Sequence, residues 1–230
     1  MSEAIVKLVG VHKEYPLGHT TVHALKGIDL VINKGEFAAL AGPSGSGKTT
    51  VLNLVGCVDT ATRGTVHVDG HDTARLSEKA LTKLRLERLG FIFQSFNLVA
   101  VLDVFQNVEL PLLLQRRLSK AERKARVQAM VEKVGLAGQM KQRPAELSGG
   151  QRQRVAIARA LVASPALVLA DEPTANLDSE TGARIIDLMR DLNRTEGTTF
   201  VFSTHDPEVM GHADRVVRLV DGRIAGDDRK

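Results

Sequence analysis

A glycine-rich segment is the part of the sequence best suited to chemistry on phosphate groups. Gly42-Pro-Ser-Gly-Ser-Gly-Lys-Thr49 fits the pattern G-x-x-x-x-G-K-[ST], whose glycines let backbone N–H groups close around phosphate oxygens. Lys48 can reach the β- and γ-phosphates, and the Thr49 hydroxyl can ligate Mg²⁺. The apolar run Glu36–Ala41 precedes it and a helical stretch, Lys48–Val58, follows, which is the strand–loop–helix context this motif requires. The segment therefore predicts a nucleotide phosphate site rather than a flexible loop.

Two carboxylates at the end of an apolar strand could complete this chemistry. Leu167-Val-Leu-Ala is followed by Asp171 and Glu172. At the carboxyl end of a strand, Asp171 can hold Mg²⁺ directly or through water, and Glu172 can polarise an attacking water. A strand that ends in Asp-Glu is common, so this prediction depends on its pairing with the phosphate loop.

A second segment with phosphate-binding character lies about a hundred positions further on. Leu147-Ser-Gly-Gly-Gln151 precedes a helical stretch, so Ser148 could donate its hydroxyl to a phosphate at a helix start. The same residues also fit an ordinary loop that caps a helix. If both segments bind phosphate, one chain carries two such elements where a simple NTPase needs one.

The elements that must position these residues follow from hydrophobic periodicity and turn residues. Strands are predicted at 4–11, 25–32, 64–68 and 90–94, and helices at 77–88 and 119–134, the latter with a Ser119/Glu122 capping box. From residue 150 helices and apolar strands alternate: helix 152–163, strand 166–170, helix 179–195 and strand 198–203. This alternation predicts a mainly parallel sheet covered on both faces.

The segment 95–150 interrupts this alternation and is mostly helical. We therefore predict one domain over 1–230, with a nucleotide-binding core at 1–94 and 151–230 and an inserted helical subdomain at 95–150. The expected fold class is α/β, with a mainly parallel sheet that follows the phosphate-loop motif. The basic residues between Arg116 and Arg126 favour the solvated face of an amphipathic helix over a binding patch, because apolar residues recur at Val127, Met130 and Val131.

The amino-acid composition limits the classes of function that remain possible. Of 230 residues, 43% are apolar, 25% charged and only 3% aromatic, with a net charge of +4, which gives no indication of nucleic-acid binding. Cys57 is the only cysteine, which fits a reducing compartment, and a small buried hydrophobe is favoured over a reactive thiol. The first ten residues resemble a strand rather than a signal peptide, and no apolar run approaches the roughly 18 residues of a membrane span.

Taken together in order, these motifs resemble those of ATP-binding cassette (ABC) ATPases, for which L-S-G-G-Q is the signature. The similarity runs from about residue 4 to 224. It implies an α/β fold with a P-loop NTPase (RecA-like) core, an N-terminal antiparallel β subdomain and an inserted α-helical subdomain. Tyr15 matches the aromatic residue that stacks on adenine, and Gln94, in Phe91-Ile-Phe-Gln, matches the Q-loop. Asn176-Leu-Asp178 matches the D-loop, and His205, in Ser203-Thr-His-Asp, matches the switch histidine that contacts the γ-phosphate.

The resemblance implies ATP and Mg²⁺ as cofactors and a homodimer in which the Ser148 loop of one copy closes over the nucleotide on the Lys48 loop of the other. It implies catalytic roles for Glu172, His205 and Gln94 and metal-binding roles for Thr49, Gln94 and Asp171. The predicted nucleotide-binding residues are Tyr15, Gly42, Pro43, Ser44, Gly45, Ser46, Gly47, Lys48, Thr49, Thr50, Ser148, Gly149, Gly150, Gln151 and Asp178.

Within the family, Phe93-Gln-Ser-Phe-Asn-Leu98 and Asn107-Val-Glu-Leu-Pro-Leu112 are similar to the group of lipoprotein-releasing (LolD-type) and macrolide-export (MacB-type) ATPases. Gln106 and Ala175 depart from the residues usual there, Glu and Gly. The group implies transmembrane permease partners and a place on the cytoplasmic face of the inner membrane. A soluble ABC ATPase acting on ribosomes or DNA is the alternative. The apolar loop Leu98–Phe105 fits either core packing or a groove for the membrane partner.

Overall fold

The computed structural model describes residues 3–230, which fold into two β-sheets and seven α-helices. The predicted domain 1–230 thus includes two residues, Met1 and Ser2, outside the described range. The strands are β1 (Ala4–Leu17), β2 (Thr20–Asn33), β3 (Phe37–Ala41), β4 (Arg63–Val68), β5 (His71–Asp72), β6 (Leu89–Ile92), β7 (Leu167–Asp171), β8 (Thr199–Thr204), β9 (Arg215–Val220) and β10 (Arg223–Arg229). The helices are α1 (Lys48–Val55), α2 (Glu78–Arg88), α3 (Val104–Gln115), α4 (Lys120–Lys133), α5 (Gly149–Leu161), α6 (Ser179–Glu196) and α7 (Pro207–Gly211).

The larger sheet carries the parallel strands predicted from the helix–strand alternation. Its order is β10-β9-β3-β8-β7-β6, parallel throughout except for β10, which pairs antiparallel with β9. The smaller sheet is antiparallel, in the order β2-β1-β4-β5. The predicted fold class is confirmed.

The larger sheet is buried on both faces, which is why its strands are apolar without alternation. In β3, Phe37 and Ala39 face one hydrophobic cluster and Ala38 and Leu40 face another. The first cluster contains apolar residues of α3, α4, α5 and α6, and the second contains those of α1, α2 and the antiparallel sheet. The helices of the segment 95–150 thus share a core with the sheet, and the division at 94/95 and 150/151 stays a prediction.

Several element boundaries differ from the sequence prediction for local reasons. The helix predicted over Lys48–Val58 ends at Val55, because Gly56 caps it and Cys57 has a left-handed backbone with φ +55°. The helix predicted at 152–163 begins at Gly149, directly after the signature serine, and ends at Leu161. The strand predicted at 90–94 spans Leu89–Ile92, so Gln94 lies in a loop. The sequence analysis assigned no strands to β9 and β10.

Burial distinguishes between the alternatives that the sequence left open for Cys57 and for the basic residues near α4. Cys57 is buried, and burial raises the pKa of its thiol to about 11, which agrees with a small core residue rather than a reactive nucleophile. Helix α4 buries Val127, Met130 and Val131 on one face, while Arg123 pairs with Glu109 at 2.9 Å. Lys120 and Lys124 are exposed on α4, as predicted for the solvated face of an amphipathic helix, whereas Arg116 and Arg117 precede the helix. Among residues 3–230, no helix combines the length and apolar character needed to cross a membrane.

Candidate nucleotide site

The glycine-rich loop joins β3 to α1 and has a backbone that only glycine adopts readily. Gly42, Gly45 and Gly47 have φ of +152°, +78° and +105°. A Cβ on Gly42 would lie 2.2 Å from the carbonyl oxygen of Leu219, and one on Gly47 would lie 2.8 Å from Leu25 Cδ2. The loop is therefore shaped by its own glycines and by close contact with chain segments far away in sequence.

Lys48 places its ammonium inside this loop. Its Nζ donates hydrogen bonds to the carbonyl oxygens of Gly42, at 2.8 Å, and Pro43, at 3.0 Å, and the residue is only 5% exposed. The amide of Gly222 in turn donates to the carbonyl oxygen of Ser46, at 3.1 Å. A buried cation and the positive end of α1 thus lie at one place, which suits an anionic group.

The two carboxylates lie opposite the loop, at the carboxyl end of β7. Thr49 Oγ1 lies 3.1 and 3.2 Å from the two carboxylate oxygens of Asp171. Ser203 Oγ donates to Asp171 Oδ1 at 2.6 Å and accepts the N–H of Glu172 at 2.9 Å. The pair of a hydroxyl and a carboxylate, both hard oxygen donors, suits Mg²⁺, so the residues present fit the predicted metal.

Glu172 and His205 face each other beside Thr49 and Asp171. His205 Nδ1 lies 3.1 Å from Glu172 Oε1, and the histidine side chain is 63% exposed. Glu172 has a left-handed backbone, with φ +44°. Asn176 Nδ2 donates to the carbonyl oxygen of Gln94 at 2.7 Å, which ties the predicted D-loop to the predicted Q-loop.

These groups share one open cavity of about 640 Å³. The predicted site residues that line it are Pro43, Ser44, Gly45, Gly47, Lys48, Thr49, Thr50, Gln94, Asp171, Glu172 and His205. The sequence analysis missed six further lining residues: Val22, His23, Ala24, Lys26, Asp221 and Gly222. Only the Asp-Gly pair at 221–222 carries a sequence signal, that of a turn.

Tyr15 lies on β1 and is not among the lining residues of the described chain. Its hydroxyl donates to Asp59 Oδ2 at 2.8 Å, and Lys13 Nζ lies 4.8 Å from the ring centroid. Burial and this hydrogen bond raise the pKa of the Tyr15 hydroxyl. Stacking of Tyr15 on adenine stays a prediction.

The signature segment Ser148–Gln151 does not line this cavity in the chain as described (residues 3–230), and neither does Asp178. Ser148 caps α5: its Oγ accepts the amide of Gln151, and Gln151 Oε1 accepts the amide of Ser148. A Cβ on Gly150 would lie 2.7 Å from Thr181 Cγ2, so this glycine also allows α5 to pack against α6. Asp178 caps α6 through the amide of Thr181, a hydrogen bond that lowers the pKa of its carboxyl.

The fold and the site define a P-loop ATPase in which a phosphate loop, a carboxylate pair and a histidine converge on one cavity. A family profile described as ABC transporter matches residues 25–175, and the chain belongs to this family. It is an ATP-hydrolysing cassette of the LolD/MacB type, the subunit that drives an ABC transporter.

Individual relatives support this assignment over nearly the whole chain. The lipoprotein-releasing system ATP-binding protein LolD 1 of Rhodopseudomonas palustris is 44% identical over 96% of this chain and 99% of its own length. The macrolide export ATP-binding/permease protein MacB of Mannheimia succiniciproducens is 43% identical over 98% of this chain, which spans only 35% of that protein. A dimeric post-hydrolysis structure of the cassette MJ0796 of Methanocaldococcus jannaschii, bound to ADP and Pi, is 44% identical, with a TM-score of 0.89 over 97% of this chain and 98% of that one.

Proposed function

We propose that two copies of this chain pair head to tail around two ATP molecules, so that Ser148 of each copy closes over the phosphate loop of the other. The observation that carries this proposal is the separation of the two phosphate-binding segments: the Lys48 loop lines the cavity, whereas Ser148–Gln151 does not. Such an isologous pair would complete both sites at once. The dimeric state of the MJ0796 cassette supports the arrangement.

Within each composite site the residues have separate tasks. Backbone N–H groups of the loop and the Lys48 ammonium would bind the β- and γ-phosphates. Thr49, Asp171 and Gln94 would hold Mg²⁺, which supplies positive charge against the charge that develops on the phosphates. Glu172 would orient and polarise the attacking water, and His205, 3.1 Å from Glu172, would contact the γ-phosphate.

A mixing experiment tests the shared site. Lys48→Ala removes the phosphate-binding cation, and Ser148→Arg blocks the signature segment, so each variant alone should hydrolyse ATP poorly. A mixed pair has one site built from the intact Lys48 loop of one variant and the intact Ser148 segment of the other. We expect an equal mixture to recover about a quarter of the wild-type rate, because about half of random pairs are mixed and each has one of two sites. A mixture no more active than its components would contradict the head-to-tail site.

We further propose that the cassette docks on a transmembrane permease through an apolar groove of about 370 Å³ beside the nucleotide cavity. Leu86, Phe91, Phe93, Leu110, Pro111 and Leu114 line it, from α2, α3 and the end of β6. Phe93 is 39% and Leu114 60% exposed, and both line the same groove, so together they form an apolar surface that a partner could cover. The next residue, Gln94, lines the nucleotide cavity, so a helix in the groove would lie one residue from the ATP site.

This partner would place the chain at the cytoplasmic face of the inner membrane. The alternative, action on ribosomes or DNA, finds no support in relatives named as transporter components. A pull-down from detergent-solubilised membranes discriminates between a transporter cassette and an ATPase that acts on ribosomes or DNA. Recovery of a permease supports the proposal, and recovery of ribosomal RNA or DNA in its place contradicts it.

A further inference from the structure

A buried serine joins the two acidic residues of the site. Ser203 is the penultimate residue of β8, is fully buried, and pairs in parallel register with Asp171 of β7. Its Oγ lies 2.6 Å from Asp171 Oδ1 and 2.9 Å from the amide nitrogen of Glu172. One hydroxyl thus touches a carboxylate and the backbone of the next residue.

The direction of both hydrogen bonds is fixed by the chemistry of a hydroxyl. Ser203 has a single O–H proton, and the amide of Glu172 can only donate. The serine lone pair therefore accepts from Glu172, and its proton is directed at Asp171. The short distance to Asp171 is typical of a hydroxyl donating to a carboxylate.

The two hydrogen bonds of Ser203 support the backbone conformation of Glu172 and the side-chain rotamer of Asp171. Glu172 has φ +44°, a left-handed backbone that non-glycine residues rarely adopt, and its amide hydrogen bond holds that conformation. The carboxylate of Asp171 lies between Ser203 on one side and Thr49 Oγ1 on the other, so contacts from two sides restrict its rotamer. Partners of this kind orient metal-binding carboxylates in many sites.

We propose that Ser203 is a positioning residue that orients the Asp171 carboxylate toward Mg²⁺ and the Glu172 side chain toward the attacking water. The inference rests on the proposed function for the roles of Asp171 and Glu172. Ser203 itself would touch neither nucleotide nor metal.

The test compares Ser203→Ala with Ser203→Thr, which keeps the hydroxyl, and with Thr199→Val. Thr199 is a matched control: it lies on β8, is buried, and accepts the amide of Gly35 through its own hydroxyl, at the end of the strand away from the site. Asp171→Asn serves as the reference for loss of the metal ligand. The readouts are kcat and KM for ATP across a Mg²⁺ titration, affinity for a fluorescent ATP analogue in EDTA, and Tm.

For Ser203→Ala we expect the half-saturating Mg²⁺ concentration to rise about tenfold and kcat to fall roughly 10- to 100-fold. Affinity for the analogue in EDTA should stay within about twofold, because the Lys48 loop is untouched. Ser203→Thr should restore most of kcat. Thr199→Val should lower Tm yet leave the Mg²⁺ dependence at the wild-type value.

Three results would overturn the inference. The first is a Ser203→Ala chain with wild-type kcat and Mg²⁺ dependence. The second is an equal loss of analogue affinity in EDTA, which would indicate general damage. The third is a Thr199→Val chain that behaves like Ser203→Ala. If Ser203→Ala does not fold, Ser203→Cys, with a weaker donor, replaces it, and wild-type Mg²⁺ dependence there overturns the inference equally.

The reference variant separates this inference from the proposed function. If Asp171→Asn has wild-type Mg²⁺ dependence, the proposed metal site is wrong and the role of Ser203 falls with it. If Asp171→Asn raises the half-saturating Mg²⁺ concentration and Ser203→Ala does not, only the role of Ser203 is wrong.

Discussion

Glu172 illustrates how much of the site depends on the placement of a single residue. Its carboxylate faces His205 at 3.1 Å, and its backbone is held by Ser203 at 2.9 Å. A third contact is made just beyond it, where Gln153 Nε2 of α5 donates to the carbonyl oxygen of Pro173 at 2.6 Å. The backbone at Glu172 and Pro173 is thus held by groups from a strand and a helix that are remote in sequence.

Replacing this carboxylate should separate binding from hydrolysis. Glu172→Gln keeps the shape of the side chain and the Lys48 loop but removes the group that polarises water, so we expect ATP binding to persist and kcat to fall about 10²- to 10⁴-fold. The ATP-bound dimer should then accumulate, as measured by size-exclusion chromatography with light scattering. Glu180→Gln, which changes a 77% exposed carboxylate on α6, should do neither. A Glu172→Gln chain that stays monomeric with ATP at every concentration tested would contradict the role given to Glu172.

At this scale the sequence predicts residue types well and their partners poorly. Lys48, Thr49, Asp171, Glu172, Gln94 and His205 were named from motifs, and the structure brings all six to one cavity. Ser203 was not recognised as part of the site, because its contact depends on the register between β7 and β8, across 31 or 32 positions of sequence.

At the scale of elements, the apolar loop Leu98–Phe105 fits core packing, one of the two interpretations left open by its sequence, at most of the positions described below. Leu98 and Phe105 pack against the hydrophobic cluster that includes α3, and Val104 is buried within it. Val101 is 73% exposed. The groove proposed for the permease lies instead beside α3, at Leu114. Apolar composition alone does not distinguish these positions, because packing depends on where the chain turns.

Three substitutions should separate core from docking surface. Leu98→Asp places a charge against the core and should lower stability by about 2–3 kcal/mol, with loss of both ATPase activity and permease binding. Leu114→Asp, at a 60% exposed groove position, should keep soluble ATPase activity and lose permease binding. Val101→Asp should change little. Stability by urea denaturation, ATPase rate and co-purification measure the three effects. Unchanged co-purification of Leu114→Asp would argue against the groove.

At the scale of the whole molecule, Arg215 connects the larger sheet to the smaller one through hydrogen bonds. This residue of β9 is 5% exposed, and its guanidinium makes a bidentate pair with Asp227 of β10, at 2.7 Å for both contacts. It also donates to the carbonyl oxygen of Val31 in β2 and to Glu36 before β3. This network was not predicted from the sequence, because no strands were predicted at the positions of β9 and β10.

The ion pair of Arg215 and Asp227 should make the free energy of unfolding depend on pH in the acid range. The hydrogen bond from Arg215 holds the pKa of Asp227 below its ordinary value of 3.8, so the folded state favours the carboxylate. The contribution of this ion pair to the free energy of unfolding is present above pH 3.8. It is lost as the pH falls through the lower pKa that Asp227 has in the folded state.

Asp227→Asn should therefore cost about 1–2 kcal/mol at pH 7, less than a fully buried pair because the carboxylate is partly exposed. The difference from wild type should shrink as the pH drops below 3.8. Urea denaturation from pH 7 to pH 3 measures it. Asp228→Asn, whose partner Arg218 lies on the surface, should show almost no difference at any pH. A pH-independent loss in Asp227→Asn would refute the electrostatic origin.

The contacts of the phosphate loop with Leu219 and Gly222 have a consequence for the order of events during synthesis. Strand β3, which leads into the loop, lies between β8 and β9, so both of its neighbours are translated after residue 198. A nascent chain that ends before β8 presents the complete glycine-rich motif without the later segments that contact it. We therefore expect the cassette to bind ATP only after β9 and β10 have emerged from the ribosome, so that nucleotide would act late in the folding of the nascent chain.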